Sequence, residues 1–235
     1  MSVDDLFAEL CLTNTHGDLH RNIVSLRRSE NLFDDLSSNP ADWDTATATE
    51  MLAKQTGYAS QDPIIHRPFE EAAWFDAIGF PFREWTESRY SNGTYGVWYG
   101  ATDLETTIHE SIYHWTRFLS DPGFLRPGVS QDRRVHMIRC DALLVDLRPR
   151  VSTFPKLVSK NDYSFTQQVG LRLHKEGHPG LVTESARCVG DVHAIFNPMV
   201  LSDPRQLCYL TYRVAAPGKI DVERTPHEVF LSISI

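Results

Sequence analysis

The segment from Arg89 to Glu110 constrains this chain more than any other, because its turn and helix signals sit side by side. Asn92-Gly93 joins two residues that tolerate positive φ, and it lies between Arg89-Tyr90 and the aromatic run Tyr95 to Tyr99. This predicts a hairpin with Arg89 and Tyr99 on neighbouring or facing strands. Thr102-x-x-Glu105 then matches a capping box, so a helix is expected to about Leu119, ended by Asp121-Pro122-Gly123. Leu104, Ile108, Ile112, Trp115 and Leu119 recur at spacings of three and four and define its buried stripe. Glu110 falls roughly opposite, with Thr106, Tyr113 and Arg117 on its face at about 100° per residue. That face is either solvated polar surface or the wall of a cleft opposite the hairpin.

The rest of the chain narrows the class. The 235 residues carry 41% hydrophobic and 23% charged side chains, ordinary for a globular protein. No apolar run approaches the roughly 20 residues of a membrane span, and Met-Ser-Val-Asp-Asp-Leu has neither the basic start nor the apolar core of a signal peptide. A cytoplasmic protein without membrane contact is expected. Cys11, Cys140, Cys188 and Cys208 form no Cys-x-x-Cys pair and read as buried free thiols. His109-Glu110 resembles the start of a zinc-protease motif, but position 113 is Tyr and His114 points about 140° away from His109. No metal site is expected. The same angle separates Glu105 from Glu110, which argues against a glycosidase pair.

Charge is unevenly placed. The net charge is −8, yet residues 1–80 hold 14 acidic and 5 basic side chains, a balance of −9, leaving the remainder near neutral. A basic stripe for nucleic acid is therefore not in evidence. Val3, Leu6, Phe7 and Leu10 follow one helical face, and helix is also expected within Leu19 to Leu36, in Asp42 to Tyr58 and from Pro68. A boundary near residue 80 follows, separating an acidic helical N-terminal extension (1–80) from a second region (81–235). In that region Arg134 to Cys140 and Leu143 to Leu147 read as strands and Asp162 to Lys175 as a helix with Phe165, Val169 and Leu173 inward and Gly177 as its stop. Further strands are expected at Gly180 to Glu184, Ile195-Phe196, Met199 to Leu201, Leu207 to Val214 and Val229 to Ile233. The irregular alternation indicates an α+β fold.

A second segment, Gly180-Leu-Val-Thr-Glu-Ser185-Ala-Arg187 to Phe196-Asn-Pro198, delivers Ser185 from a strand into a Gly-containing turn. Taken with Arg89-Tyr-Ser, Val97-Trp-Tyr99-Gly-Ala and Glu105-Thr-Thr-Ile-His-Glu110, it resembles the RES domain, over roughly residues 83–214. The family is named for its Arg, Glu and Ser, and its members are toxins of bacterial toxin–antitoxin pairs. The resemblance implies a fold similar to the ADP-ribosyltransferase toxins, with a mixed sheet and helices. It also implies an activity that destroys NAD and neutralisation by a small helical, Xre-like antitoxin. Carried over by position, the family's Arg is Arg89, its Tyr is Tyr99, its Glu is Glu110 and its Ser is Ser185.

The chemistry of these side chains agrees. Breaking the nicotinamide–ribose bond passes through an oxocarbenium-like state that a carboxylate beneath the sugar stabilises, the role expected of Glu110. Arg89 can offer its planar fork to the diphosphate, Ser185 a hydroxyl to phosphate or ribose, and Tyr99 or Tyr95 a face to the nicotinamide ring. Arg187 and Tyr113 are expected as further contacts. NAD is then a substrate and no bound cofactor is needed. Transfer of ADP-ribose to a macromolecule, by an ADP-ribosyltransferase, and a non-catalytic nucleotide-binding module remain as alternatives. A homodimer is compatible with the acidic extension.

Overall fold

The structure, a computed structural model, describes residues 2–25, 74–118 and 126–235. Its strands are β1 (Cys11–Val24), β2 (Glu87–Ser88), β3 (Ser91–Asn92), β4 (Trp98–Ala101), β5 (Ser130–Asp146), β6 (Gly180–Glu184), β7 (Asp191–Ile195), β8 (Leu201–Ala216), β9 (Lys219–Thr225) and β10 (Glu228–Ser234). Its α-helices are α1 (Val3–Phe7), α2 (Phe80–Arg83), α3 (Leu104–Phe118) and α4 (Ser164–Lys175). The α+β class expected from the sequence is the one observed.

The long strand β5 organises the sheet. Side chains alternate across a strand, so Ile138, Cys140 and Leu144 face one way and Val135 and Val145 the other, and both faces are buried. The two strands expected between Arg134 and Leu147 are this one continuous strand. On one side β1 pairs antiparallel with it from Cys11↔Asp146 to Val24↔Arg133. On the other side lie β8, antiparallel, and β6, parallel. Since β6 pairs with β7, β7 with β4, and β4 meets β1 at His20↔Ala101, five strands close into a ring from which β8, β9 and β10 extend.

Strand β1 corrects the sequence reading. Leu19, Ile23 and Leu26 recur at helical spacing, but the chain from Leu19 to Val24 is strand; residues 26–36 lie outside the described residues, as do the helices expected at Asp42 to Tyr58 and from Pro68. Leu19 is fully enclosed while His20 and Asn22 turn to the opposite face, and the backbone groups of β1 are met by β5 along its length. Long-range pairing overrides the local periodicity. Thus β1 lies N-terminal to the expected boundary near residue 80 and contributes to the same sheet as β4 to β10.

Three apolar clusters hold the layers. Helix α3 lays Ile108, Ile112 and Trp115 against Val135, Leu210, Tyr212 and Val222, as its stripe predicted; Leu119 is outside the described residues. Helix α4 packs Phe165, Val169 and Leu173 against Val145, Leu181 and Ala194. It ends as expected at Gly177, where Gly177 N–H reaches His174 O and His178 N–H reaches Leu173 O. The third cluster joins Leu19, Trp98, Ile138, Leu144 and Ile195, with the Trp98 indole donating to Ala77 O at 2.8 Å. Cys140 is buried there as a free thiol, whereas Cys11 is exposed, contrary to expectation.

Candidate active site

Two local details of the Arg89 to Glu110 segment differ from the sequence reading. The two-residue turn is Arg89-Tyr90, since Ser88 pairs with Ser91 and Glu87 with Asn92. Asn92-Gly93 instead forms a bend in which the Asn92 side-chain oxygen accepts from Thr94 N and Oγ1. Arg89 is therefore on a turn tip, not on a strand facing Tyr99. The helix cap is Asp103 rather than Thr102: its carboxylate accepts from Thr106 N at 2.7 Å and Thr106 Oγ1 at 2.8 Å, leaving Glu105 largely exposed.

Tyrosine hydroxyls fix that tip. Tyr90 N–H donates to Tyr99 Oη at 2.9 Å, Tyr99 Oη also bonds Ser88 Oγ at 3.0 Å, and Tyr95 Oη donates to Tyr90 O at 2.5 Å. Burial pushes the Tyr99 hydroxyl well above its ordinary pKa, so it stays protonated. The ring of Tyr99 lines the cavity described below, but its hydroxyl serves the hairpin. Tyr95 is buried, stacked on His174 with ring centroids 4.1 Å apart, and sits in the core beside α4 rather than against the cavity.

Arg89 leans across the ring of Tyr163, 4.6 Å from its centroid, and donates from Nη1 to Ser159 O at 2.8 Å; its Nη2 is buried without a protein partner. Arg187 lies over the Tyr113 ring and reaches Lys160 O and Tyr163 Oη, while Tyr113 Oη donates to Lys160 O at 3.0 Å. These two residues pin the 160–163 segment that carries Tyr163 beneath Arg89. Neither is on the wall of the cavity itself.

Glu110 and Ser185 do meet. Ser185 Oγ donates to Glu110 Oε1 at 2.6 Å and itself accepts from Arg187 N at 3.0 Å, which fixes the direction of the hydroxyl proton. Close approach of backbone to helix makes this possible: a Cβ on Gly190 would stand 2.0 Å from Thr106 Oγ1 of α3. Ser185 N–H closes the turn on Gly190 O at 2.7 Å. Ser185 is itself buried and is not on the cavity lining, which Glu184 and Ala186 reach on either side. Its hydroxyl is turned onto Glu110, which does line the cavity.

The cavity has a volume of about 490 Å³ and is lined by Arg89, Tyr99 and Glu110. It adjoins a second of about 780 Å³ that shares Ser88, Tyr99, His114 and Tyr163. Sequence reasoning missed several of the lining groups. His114 stands one helical turn after Glu110 and opens to both cavities; burial lowers its pKa in spite of the neighbouring carboxylate. Arg21, from β1, and Arg133, from β5, also line the first cavity, against only two acidic lining residues, Glu110 and Glu184, among the described residues. The arrangement can hold an anion on guanidinium groups beside one oriented carboxylate.

The family model for the RES domain matches residues 64–215. The chain belongs to the RES domain family. No curated protein matches it. Among solved structures it is similar to a chain of the M. tuberculosis MbcT–MbcA toxin–antitoxin complex, with a TM-score of 0.47 and 12% identity, over 91% of this chain and 92% of that one. Within the RES domain, Arg89, Tyr99, Glu110 and Ser185 all fall in the matched residues, whereas β1, with Arg21, precedes them.

Proposed function

We propose that this RES domain protein is the toxin of a toxin–antitoxin pair and acts by cleaving the nicotinamide–ribose bond of NAD. The observation that carries the reading is the Ser185–Glu110 hydrogen bond at the wall of a cavity lined by Arg89 and Tyr99. As the C1′–N bond breaks, nicotinamide leaves neutral with the bonding pair and positive charge passes to the sugar. A carboxylate held in a fixed orientation stabilises that charge without reorganising. Ser185 supplies the orientation, and the leaving group needs no general acid. Water or phosphate then bonds to C1′, the displaced proton of water passing to solvent. The Nη2 of Arg89, which has no protein partner, suits the diphosphate. Family membership supports a helical antitoxin that neutralises the chain.

The test is release of free nicotinamide from NAD by the full chain, with products separated as ADP-ribose, its 1-phosphate, or label fixed on a macromolecule. Glu110→Gln is expected to lower the rate by about 10²–10³-fold with folding intact. Intact NAD after prolonged incubation with folded protein rejects the reading, and label on protein or nucleic acid replaces it with ADP-ribosyl transfer.

A further inference from the structure

Arg21 and Arg133 differ from the arginines of this chain that are paired with carboxylates. Arg148 is paired with Asp146 and Asp191, Arg213 with Glu223, and Arg172 with Asp4 and Glu176. By contrast every acceptor that Arg21 and Arg133 meet among the described residues is neutral. Arg21 Nη1 donates to Tyr99 O at 2.7 Å and its Nε is buried without a partner; its guanidinium lies 5.5 Å from the Trp98 ring centroid. Arg133 is only 7% exposed and donates to Asn22 Oδ1, Asn22 O and Gln131 Oε1.

Burial together with the charge of Arg133 lowers the Arg21 pKa to about 10, so both remain cationic at neutral pH. Two like charges taken out of water without a counter-charge are costly, and hydrogen bonds to amides offset only part of that cost. An oxyanion in the cavity supplies the missing charge. The planar guanidinium fork matches the geometry of a phosphate oxyanion.

We propose that Arg21 and Arg133 form a phosphate-oxyanion subsite, which makes strand β1 a working part of the site although it precedes the RES-matched residues. The inference rests on a nucleotide occupying this cavity, as the proposed function requires, but its test reads binding and not turnover. The phosphate group can belong to the diphosphate of a dinucleotide or can be free phosphate acting as acceptor.

The experiment is thermal-shift and calorimetric titration of the full chain with ADP-ribose, inorganic pyrophosphate and inorganic phosphate, at constant ionic strength set by sodium chloride. At least one of these is expected to raise Tm by mass action, and Arg21→Gln and Arg133→Gln each to weaken its Kd by about tenfold or more. Response to ADP-ribose and pyrophosphate only assigns the subsite to the diphosphate; response to inorganic phosphate assigns it to the free ion. Should Arg21→Gln fail to fold, Arg21→Lys keeps the charge without the fork, and weaker binding is again expected. No response in the wild type, or unchanged affinity in the folded variants, overturns the proposal. An Arg21-dependent response from a chain that leaves NAD intact would retain the subsite and reject the proposed activity.

Discussion

Glu110 and Ser185 are tied by a single 2.6 Å hydrogen bond, and their substitutions separate two roles. Glu110 borders the cavity, and in the proposed reaction it acts on the sugar cation directly, so its loss is expected in the chemical step. Ser185 acts through Glu110, so Ser185→Ala is expected to lower kcat by about 10- to 100-fold, the worth of one charge-assisted hydrogen bond, with KM little changed. Ser185→Thr, which keeps the hydroxyl, should recover much of that loss; equal defects in both variants would mean that only the packing of the turn mattered. Tyr99→Phe removes the hydroxyl that accepts from Tyr90 N–H at the Arg89 tip. Leaving that buried amide unpaired is expected to cost about 1–3 kcal/mol in denaturant unfolding and to raise KM for NAD through a loosened Arg89. An unchanged KM would detach Arg89 from substrate binding.

At the scale of elements, the site depends on how closely turn and helix approach. Gly190 touches Thr106 of α3, so Gly190→Ala should force the Ser185 turn off the helix, lowering stability by about 1–3 kcal/mol and activity with it. A variant of full stability and activity would show that the turn can move without consequence. How much of this was legible follows from the physics of each element. Glu110 could be placed because helical periodicity sets a buried stripe and its opposite face from sequence alone. Ser185 could be flagged because a strand runs into a turn there, though its bond to Glu110 spans elements far apart in the chain. The Arg89-Tyr90 turn was hidden by Asn92-Gly93, whose side-chain bend competes with hairpin formation through a local hydrogen bond. Arg21 and Arg133 carry no motif; they meet only because β1 pairs with β5, and the periodicity at Leu19 to Leu26 is ambiguous until that pairing is made.

For the whole molecule, closure of five strands leaves a face where two histidines are enclosed with little polar company. His136 and His193 share the face of Trp98, Ile138 and Ile195, are 2% and 4% exposed, and have ring nitrogens without hydrogen-bond partners. Burial lowers both from 6.5 to about 4, with Arg134 and Arg21 adding to the effect at His136 and Arg148 at His193, against Asp191 and Asp146. The unfolded chain therefore binds protons on these rings between about pH 6.5 and pH 4 while the folded chain does not. The linkage sign follows: stability is full above pH 6.5 and falls as pH drops toward 4, by up to about 3 kcal/mol for each ring. The paired carboxylates act lower, since Arg148 holds Asp146 below its ordinary 3.8, so their contribution is lost only beneath that value. Denaturant unfolding at pH 7.5, 5.5 and 4.5 is expected to show the decline within the histidine window, and His136→Met to reduce its slope. If stability is level from pH 7.5 to 4.5, these histidines are not held neutral in the fold and the face around Trp98 must admit water or a counter-charge.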